Sequence, residues 1–257
     1  PEVNPSGGAL APELPVAAVR AFSIDDATTT EIDDAFSVTE LPDGQLRIGI
    51  HIAAPALAIQ PDSAIDKVAG ERLSTVYMPG WKLTMLPDAV VEAYTLVEGR
   101  DCPAVSLYVS FDEATLEVES HETKLERVPI VANLRHDKLD AVITAESLAG
   151  DAPADYAFAQ ELAFTFKLAQ TLKARREVVR GKPENFNRPD YNFRLDGNNH
   201  GGEPQGDERV SITTRQRGAP LDLIVAEAMI LANSTWGAWL AACGVPGIYR
   251  SQTSLAP

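Results

Sequence analysis

The sequence predicts an α+β domain in which a mixed, largely antiparallel sheet is flanked by helices. Three observations carry that expectation: short alternating apolar runs crowd the first half, longer runs of helical period fill the second, and turn residues separate them. Hydrophobic residues make up 45% of the 257 residues, enough for one large domain with a substantial core.

Each element has a local cause. Residues 1–18 are rich in Pro, Gly and Ala and read as a linker, leaving 19–257 as the domain. Strands are expected over 19–24, 35–40 and 46–53, the last pair joined by a Pro42-Asp43-Gly44 turn. Pro61-Asp62-Ser63 opens an amphipathic helix of about ten residues with Asp or Ser as its cap. Residues 79–87 read as a loop and 88–96 as a short helix. Residues 104–111 and 115–128 alternate as a hairpin around Asp112-Glu113-Ala114. Helices follow over 136–145 and 154–180, the second with Leu162, Phe166, Leu168 and Leu172 at near-helical spacing. A glycine-rich polar loop at 198–207 separates two further strands, and a last helix at 221–242 is ended by Gly244 with Pro246 beyond.

Composition narrows the function. The two cysteines, Cys102 and Cys243, have no CxxC spacing, which points to reduced thiols in a cytoplasmic protein without zinc. The most apolar stretch, 221–245, is broken by Asp222, Glu227 and Asn233 and reads as a buried helix, not a membrane span. Glu227 and Asn233 lie on different faces of it and read as a buried polar contact and a helix-end hydrogen bond. The first residue is Pro with no signal peptide after it, so the start is expected to be a fragment boundary. A formal net charge of −15 argues, taken alone, against nucleic acid. The one basic run, Lys173, Arg175, Arg176, Arg180, Lys182 and Arg188, reads as a helix C-terminus complementing the macrodipole. His51, His121, His136 and His200 have no metal spacing; His51 reads as a strand residue and the others as surface. Ser74 and Ser106 lack a nucleophile-elbow context.

The chemistry concentrates in one place. Asp25, Asp26, Glu31, Asp33 and Asp34 put five carboxylates within ten residues, flanked by Ala21-Phe22 and Ala35-Phe36. Like charges so close repel, and each loses hydration if the segment packs. A hard cation would relieve both costs, since Mg²⁺ takes one or two carboxylates together with waters and phosphate oxygens. No EF-hand ladder is present. In an extended chain residues 31 and 33 share a face that 34 does not. For Asp25, Asp33 and Asp34 to converge, the backbone near 30–34 must therefore turn or bulge. The residues alone leave a cation site and a solvated acidic turn equally open.

The same residues carry a resemblance. Phe22-Ser23-Ile24-Asp25-Asp26 followed by Glu31-Ile32-Asp33-Asp34-Ala35 resembles the signature of the ribonuclease II/R catalytic domain, the RNB domain. Four downstream blocks agree in order: Leu46-Arg47-Ile48-Gly49-Ile50-His51-Ile52-Ala53; Ser74-Thr75-Val76-Tyr77-Met78-Pro79 with Met85-Leu86-Pro87; Arg188-Pro189-Asp190-Tyr191-Asn192-Phe193; and residues 225–233. The resemblance covers roughly residues 19–257. It implies an exoribonuclease that hydrolyses single-stranded RNA from its 3′ end to nucleoside 5′-monophosphates. It also implies one or two Mg²⁺ ions, with Mn²⁺ as a substitute, and no organic cofactor or membrane partner. By resemblance Asp25 and Asp34 are metal ligands, Asp33 holds the attacking water or a second ion, Glu31 assists, and Tyr77 stacks on the terminal base. Glu31 stands where the family usually has Asp, Ala54 where it has Asp, and Tyr94 where many members have Cys. The family's Thr-Ser-Pro-x-Arg segment, source of a catalytic arginine, and its small RNA-binding barrels do not occur in the sequence. The 257 residues alone are therefore expected to be a weak nuclease or none. The alternative is a non-catalytic RNB-like module that binds RNA or protein.

Overall fold

In chain order the elements are β1 (Ala21–Asp25), β2 (Asp34–Glu40), β3 (Leu46–Ala53), α1 (Ala64–Arg72), β4 (Val76–Met78), β5 (Trp81–Leu83), α2 (Asp88–Tyr94), β6 (Arg100–Phe111), β7 (Val118–Arg135), α3 (His136–Leu139), α4 (Ala145–Ala149), α5 (Ala159–Arg180), β8 (Pro189–Asp196), β9 (Arg209–Gln216) and α6 (Pro220–Ala242). The computed structural model describes residues 13–26, 29–42, 44–112, 114–150, 155–184, 189–196, 204–216 and 218–249. Arg188, His200 and residues 1–12 of the expected linker lie outside them. Residues 15–17 already dock on the domain, through Ala17 N to Arg127 O and Arg127 N to Pro15 O.

The expected sheet closes on itself as a barrel in the order β1-β2-β3-β6-β7. Every pair is antiparallel except β1 with the last residues of β7, which run parallel. β7 reaches that pairing because it continues to Arg135, well beyond the expected end at Val128. Period-two alternation gives the strands two unlike faces. Phe22, Phe36, Ile50 and Leu107 are register partners in a row across four strands, and all are fully buried. They share a core with Leu162 and Phe166 of α5 and Leu221 and Ile224 of α6, and the Phe158 ring lies 4.6 Å from that of Phe22. Burying each such side chain contributes about 1.5–3 kcal/mol.

The opposite face is small and polar. His51, fully buried, places Nε2 2.9 Å from Ser37 Oγ and Nδ1 2.8 Å from Ser106 Oγ. Burial lowers its pKa to about 3, so the ring is neutral and both nitrogens are satisfied by hydroxyls. A Cβ on Gly49 would stand 2.4 Å from Ser37 Oγ and 2.8 Å from the His51 ring, so only glycine leaves room for this bridge.

Several local expectations change. The stretch 79–87 read as a loop carries β5, which pairs with β4 just ahead of it in a hairpin where Tyr77 opposes Lys82. The helix expected over 136–145 is two short ones, because Thr144 caps α4 with a hydroxyl that accepts from Ser147 N. His136 is buried, not on the surface, with Nδ1 3.1 Å from Asp140 Oδ1. Helix α1 starts at its Ser63 cap as expected, yet it buries no residue. Lys173, Arg175, Arg176 and Arg180 of the basic run are engaged within the protein. Arg175 donates to Leu116 O and Thr115 O, and Arg176 to Glu227 and, at 2.6 Å, Glu184. Helix α6 is long and apolar enough to cross a membrane by length and composition alone. Its first half is packed, with Glu227 buried in the pair with Arg176, whereas Trp239 near its end is exposed. Asn233 bonds back to Met229 O within the helix.

Gly49→Ala should destabilise the fold by about 1–3 kcal/mol in urea melts, because the added methyl displaces Ser37 or His51. Gly70→Ala, with nothing near the added carbon, should instead stabilise by roughly 0.5–1 kcal/mol through helix propensity.

Candidate active site at the ends of the first two strands

Antiparallel pairing of β1 and β2 through Phe22 and Phe36 sets the end of one beside the start of the other, and with them Asp25 beside Asp34. The chain between them leaves the sheet. Thr29 N donates to Asp26 O at 3.0 Å. Ile32 is then buried and tethered on both sides, its N–H to Thr95 Oγ1 at 2.8 Å and its carbonyl to Leu96 N at 2.9 Å. Ala53 N takes the Asp33 carbonyl at 2.9 Å, and β2 begins one residue later. The irregularity required near residues 30–34 is therefore present as a tethered non-strand segment.

The carboxylates feel one another. Asp34 is pushed up to about 7, first by burial and then by the charges of Asp25 and Asp33. Its Oδ2 is buried without a hydrogen-bond partner. Asp25 is raised by burial, opposed by a 2.5 Å bond from Ser23 Oγ and by the charge of Arg135. Asp33 keeps solvent access, yet the packing around it and the charges of Glu31 and Asp25 raise it, against Lys82. Asp25, Asp33 and Asp34 are thus brought together. Glu31 is engaged elsewhere: its Oε1 lies 3.4 Å from Lys82 Nζ, and Oε2 accepts from Thr75 Oγ1 at 3.3 Å.

Tyr77 stands in β4 with its residue surface 72% exposed, so its ring does not pack in the core. Burial of the hydroxyl and then the charges of Glu31 and Asp33 raise its pKa, which places that end of the ring toward the acidic segment. A cavity of about 210 Å³ is lined by the polar Glu31, Asp33 and Thr75 and by Met85, Val90 and Tyr94 among its apolar walls.

A supporting layer lay outside the expected residues. Asn133 Nδ2 donates to Ser23 Oγ at 2.8 Å and to Leu96 O at 2.9 Å, holding the hydroxyl that holds Asp25. Arg135 Nη1 donates to Asp26 O at 2.8 Å and Thr29 O at 3.3 Å, bridging the two. Both residues reach the site through the parallel register Ser23↔Asn133 and Asp25↔Arg135. Ser23 lies inside the acidic motif and could have been suspected; nothing local marks Asn133, Arg135 or Lys82.

The residues suit a hard divalent cation in two respects: an orphaned buried carboxylate oxygen, and carboxylates raised by one another's charge. Among the described residues no three His, Cys, Asp or Glu side chains form a closed ligand set.

Fold and site together define a mixed barrel domain with a carboxylate cluster at one end of its first two strands. The RNB domain family model matches residues 16–257, and the chain belongs to that family. It is 29% identical over 266 residues to exoribonuclease 2 of Proteus mirabilis, covering all of this chain and 38% of that protein. Its fold resembles that of the Dss1 exoribonuclease of Candida glabrata, with a TM-score of 0.75 at 21% identity, over 92% of this chain and 30% of that one. It also resembles RNase R of Mycoplasma genitalium in complex with double-stranded RNA, with a TM-score of 0.71 at 16% identity, over 95% of this chain and 40% of that one. The chain thus spans well under half the length of these relatives.

The charge cluster should show in stability. A carboxyl raised from 3.8 to about 7 on folding burdens the native state progressively between those pH values and fully above them, by roughly 4 kcal/mol. Without divalent ions, Asp34→Asn should therefore raise the urea midpoint at pH 8 and change it little at pH 4. His51 has the opposite sign. Its lowered pKa contributes stability that is complete above 6.5 and is lost as pH falls toward 3. The two slopes oppose each other in the native sequence, so Asp34→Asn should also steepen the loss of stability on acidification below about pH 6.5.

Proposed function

We propose that the protein is the catalytic part of a metal-dependent 3′-to-5′ exoribonuclease of the cytoplasm, hydrolysing single-stranded RNA to nucleoside 5′-monophosphates. The observation that carries this is the convergence of Asp25, Asp33 and Asp34 beneath an exposed tyrosine, with one buried Asp34 oxygen lacking a partner. Membership of the RNB family and relatives named exoribonuclease support it.

Asp25 and Asp34 would hold Mg²⁺, one ion or a pair with Asp33, and Mn²⁺ would serve in its place. When bound, the ion supplies charge for the phosphate oxygens and lowers the pKa of water. The remaining work falls to the chain. Ser23 and Asn133 fix the Asp25 carboxylate, and Arg135 holds Asp26 and Thr29 between the ligands. Asp33, solvent-reaching and raised, takes the proton of the attacking water as the phosphodiester bond breaks. The products are a nucleoside 5′-monophosphate and an RNA one nucleotide shorter with a new 3′-hydroxyl. Tyr77 offers its ring face to the terminal base, a contact indifferent to base identity.

The assay follows the shortening of 5′-labelled RNA by the protein containing this chain. Asp33→Asn should abolish hydrolysis while RNA binding and melting temperature stay near native. Chelation should stop hydrolysis, and Mg²⁺ or Mn²⁺ should restore it and raise the melting temperature more at pH 8 than at pH 5. Tyr77→Ala should weaken binding of the RNA end by about 1–3 kcal/mol and lengthen the limit product without loss of thermal stability, since its ring is exposed. The lack of a closed three-ligand set among the described residues favours one second reading, a non-catalytic RNA-binding module. RNA binding with no ion-dependent hydrolysis in the native protein would select it.

A further inference from the structure

We infer that Glu31 is the latch of the tyrosine hairpin: its carboxylate meets Thr75, just ahead of β4, and Lys82, within β5, and so sets where Tyr77 stands over the site. The role of Tyr77 rests on the exonuclease proposal; the latch does not.

The geometry is asymmetric in a telling way. Thr75, the residue before β4, donates Oγ1 to Glu31 Oε2 at 3.3 Å and accepts Met85 N at 3.1 Å, which ties the hairpin's entry to its exit. Lys82, in β5, brings Nζ to 3.4 Å from Glu31 Oε1 and is the register partner of Tyr77. One carboxylate thus meets the residue ahead of β4 and the middle of β5. Glu31 is itself immobile, because Ile32 beside it is buried and bonded to Thr95 and Leu96. Only 10% of the Glu31 side chain and 26% of the Lys82 side chain are exposed, so the pair is less screened than a surface ion pair.

The hairpin needs such a hold. Two strands of three residues are marginal by themselves. Val76, Tyr77, Met78 and Leu83 are exposed, so little apolar packing fixes them. Two other contacts hold its edges. Arg72 donates to Thr84 O at 2.7 Å just past β5, and at the tip the Leu195 side chain fills the space where a Cβ of Gly80 would lie. Neither touches the strand that bears Tyr77. Glu31 Oε2 accepts from Thr75 Oγ1, and Oε1, buried without a hydrogen bond, faces the Lys82 ammonium, whereas Asp34 Oδ2 has neither a hydrogen bond nor an ion pair. The extra methylene of Glu over Asp supplies the reach to β5.

Hydrogen exchange across residues 76–83 tests the latch. Glu31→Gln and Lys82→Met should each speed exchange there by about three- to tenfold, the double variant no more than the faster single, and Lys82→Arg should restore protection. Calorimetric Mn²⁺ affinity should stay within about threefold of native in Glu31→Gln, where a lost ligand would cost more. In RNA degradation the loss in Lys82→Met should fall on KM rather than kcat, with Lys82→Arg recovering KM. Unchanged exchange in both single variants overturns the latch, as does loss of Mn²⁺ affinity in Glu31→Gln with the hairpin still protected. If the native protein neither binds Mn²⁺ nor cuts RNA while the variants still loosen the hairpin, the exonuclease proposal fails and the latch stands.

Discussion

Electrostatic repulsion among Asp25, Asp33 and Asp34 is the constraint on which the rest of the site depends. The first two strands could pair and bury Phe22 and Phe36 with any residues at their ends; what they carry there are carboxylates whose pKa burial raises, with the charge of Asp25 adding to the rise at Asp33 and Asp34. That arrangement is unfavourable for folding and has to be outweighed by the core. The apolar row from Phe22 to Leu107, packed against α5 and α6, supplies the opposing free energy. Unfavourable charge held in place by a well-packed core is the usual physical signature of a functional site.

Cations and hydroxyls around the cluster are spent on placement. Arg135 bonds to the backbone carbonyls of Asp26 and Thr29 rather than to a carboxylate, so it orders the segment while only partly neutralising it. Lys82 forms an ion pair with Glu31, whose other oxygen accepts from Thr75. Asn133 and Ser23 form a short relay to Asp25. The outcome is graded: Glu31 in an ion pair, Asp25 supported, Asp33 open to solvent and Asp34 half-buried with one buried oxygen lacking a hydrogen bond.

Two polar groups away from the site are engaged inside the fold. His51 is locked neutral between two serines, and Arg176 joins α5 to α6 through Glu227. Arg175 and Arg176 of the basic run serve the fold, in line with the net charge of −15. On the proposed function, affinity for RNA in this part of the protein would come from the metal-bearing cluster and stacking more than from a basic surface.

Local chemistry made much of this legible in the sequence. Alternation placed β2 and β3, Ser63 placed the start of α1, the 35–36 and 21–22 flanks showed that the acidic segment was pinned between strands, and motif order exposed the family. The barrel's closure was not legible, because the parallel seam of β1 with β7 joins segments about 110 residues apart and no local periodicity encodes it. The same seam delivers Asn133 and Arg135 to the site, so they too were invisible until the chain closed. β4 and β5 were missed because three-residue exposed strands carry no burial pattern, and the ion pair of Glu31 followed from which carboxylate β5 could reach. Sequence determined which groups could ionise and which of the longer segments would be strands. Tertiary structure decided which charges met a partner, since that depends on contacts between residues far apart in the chain.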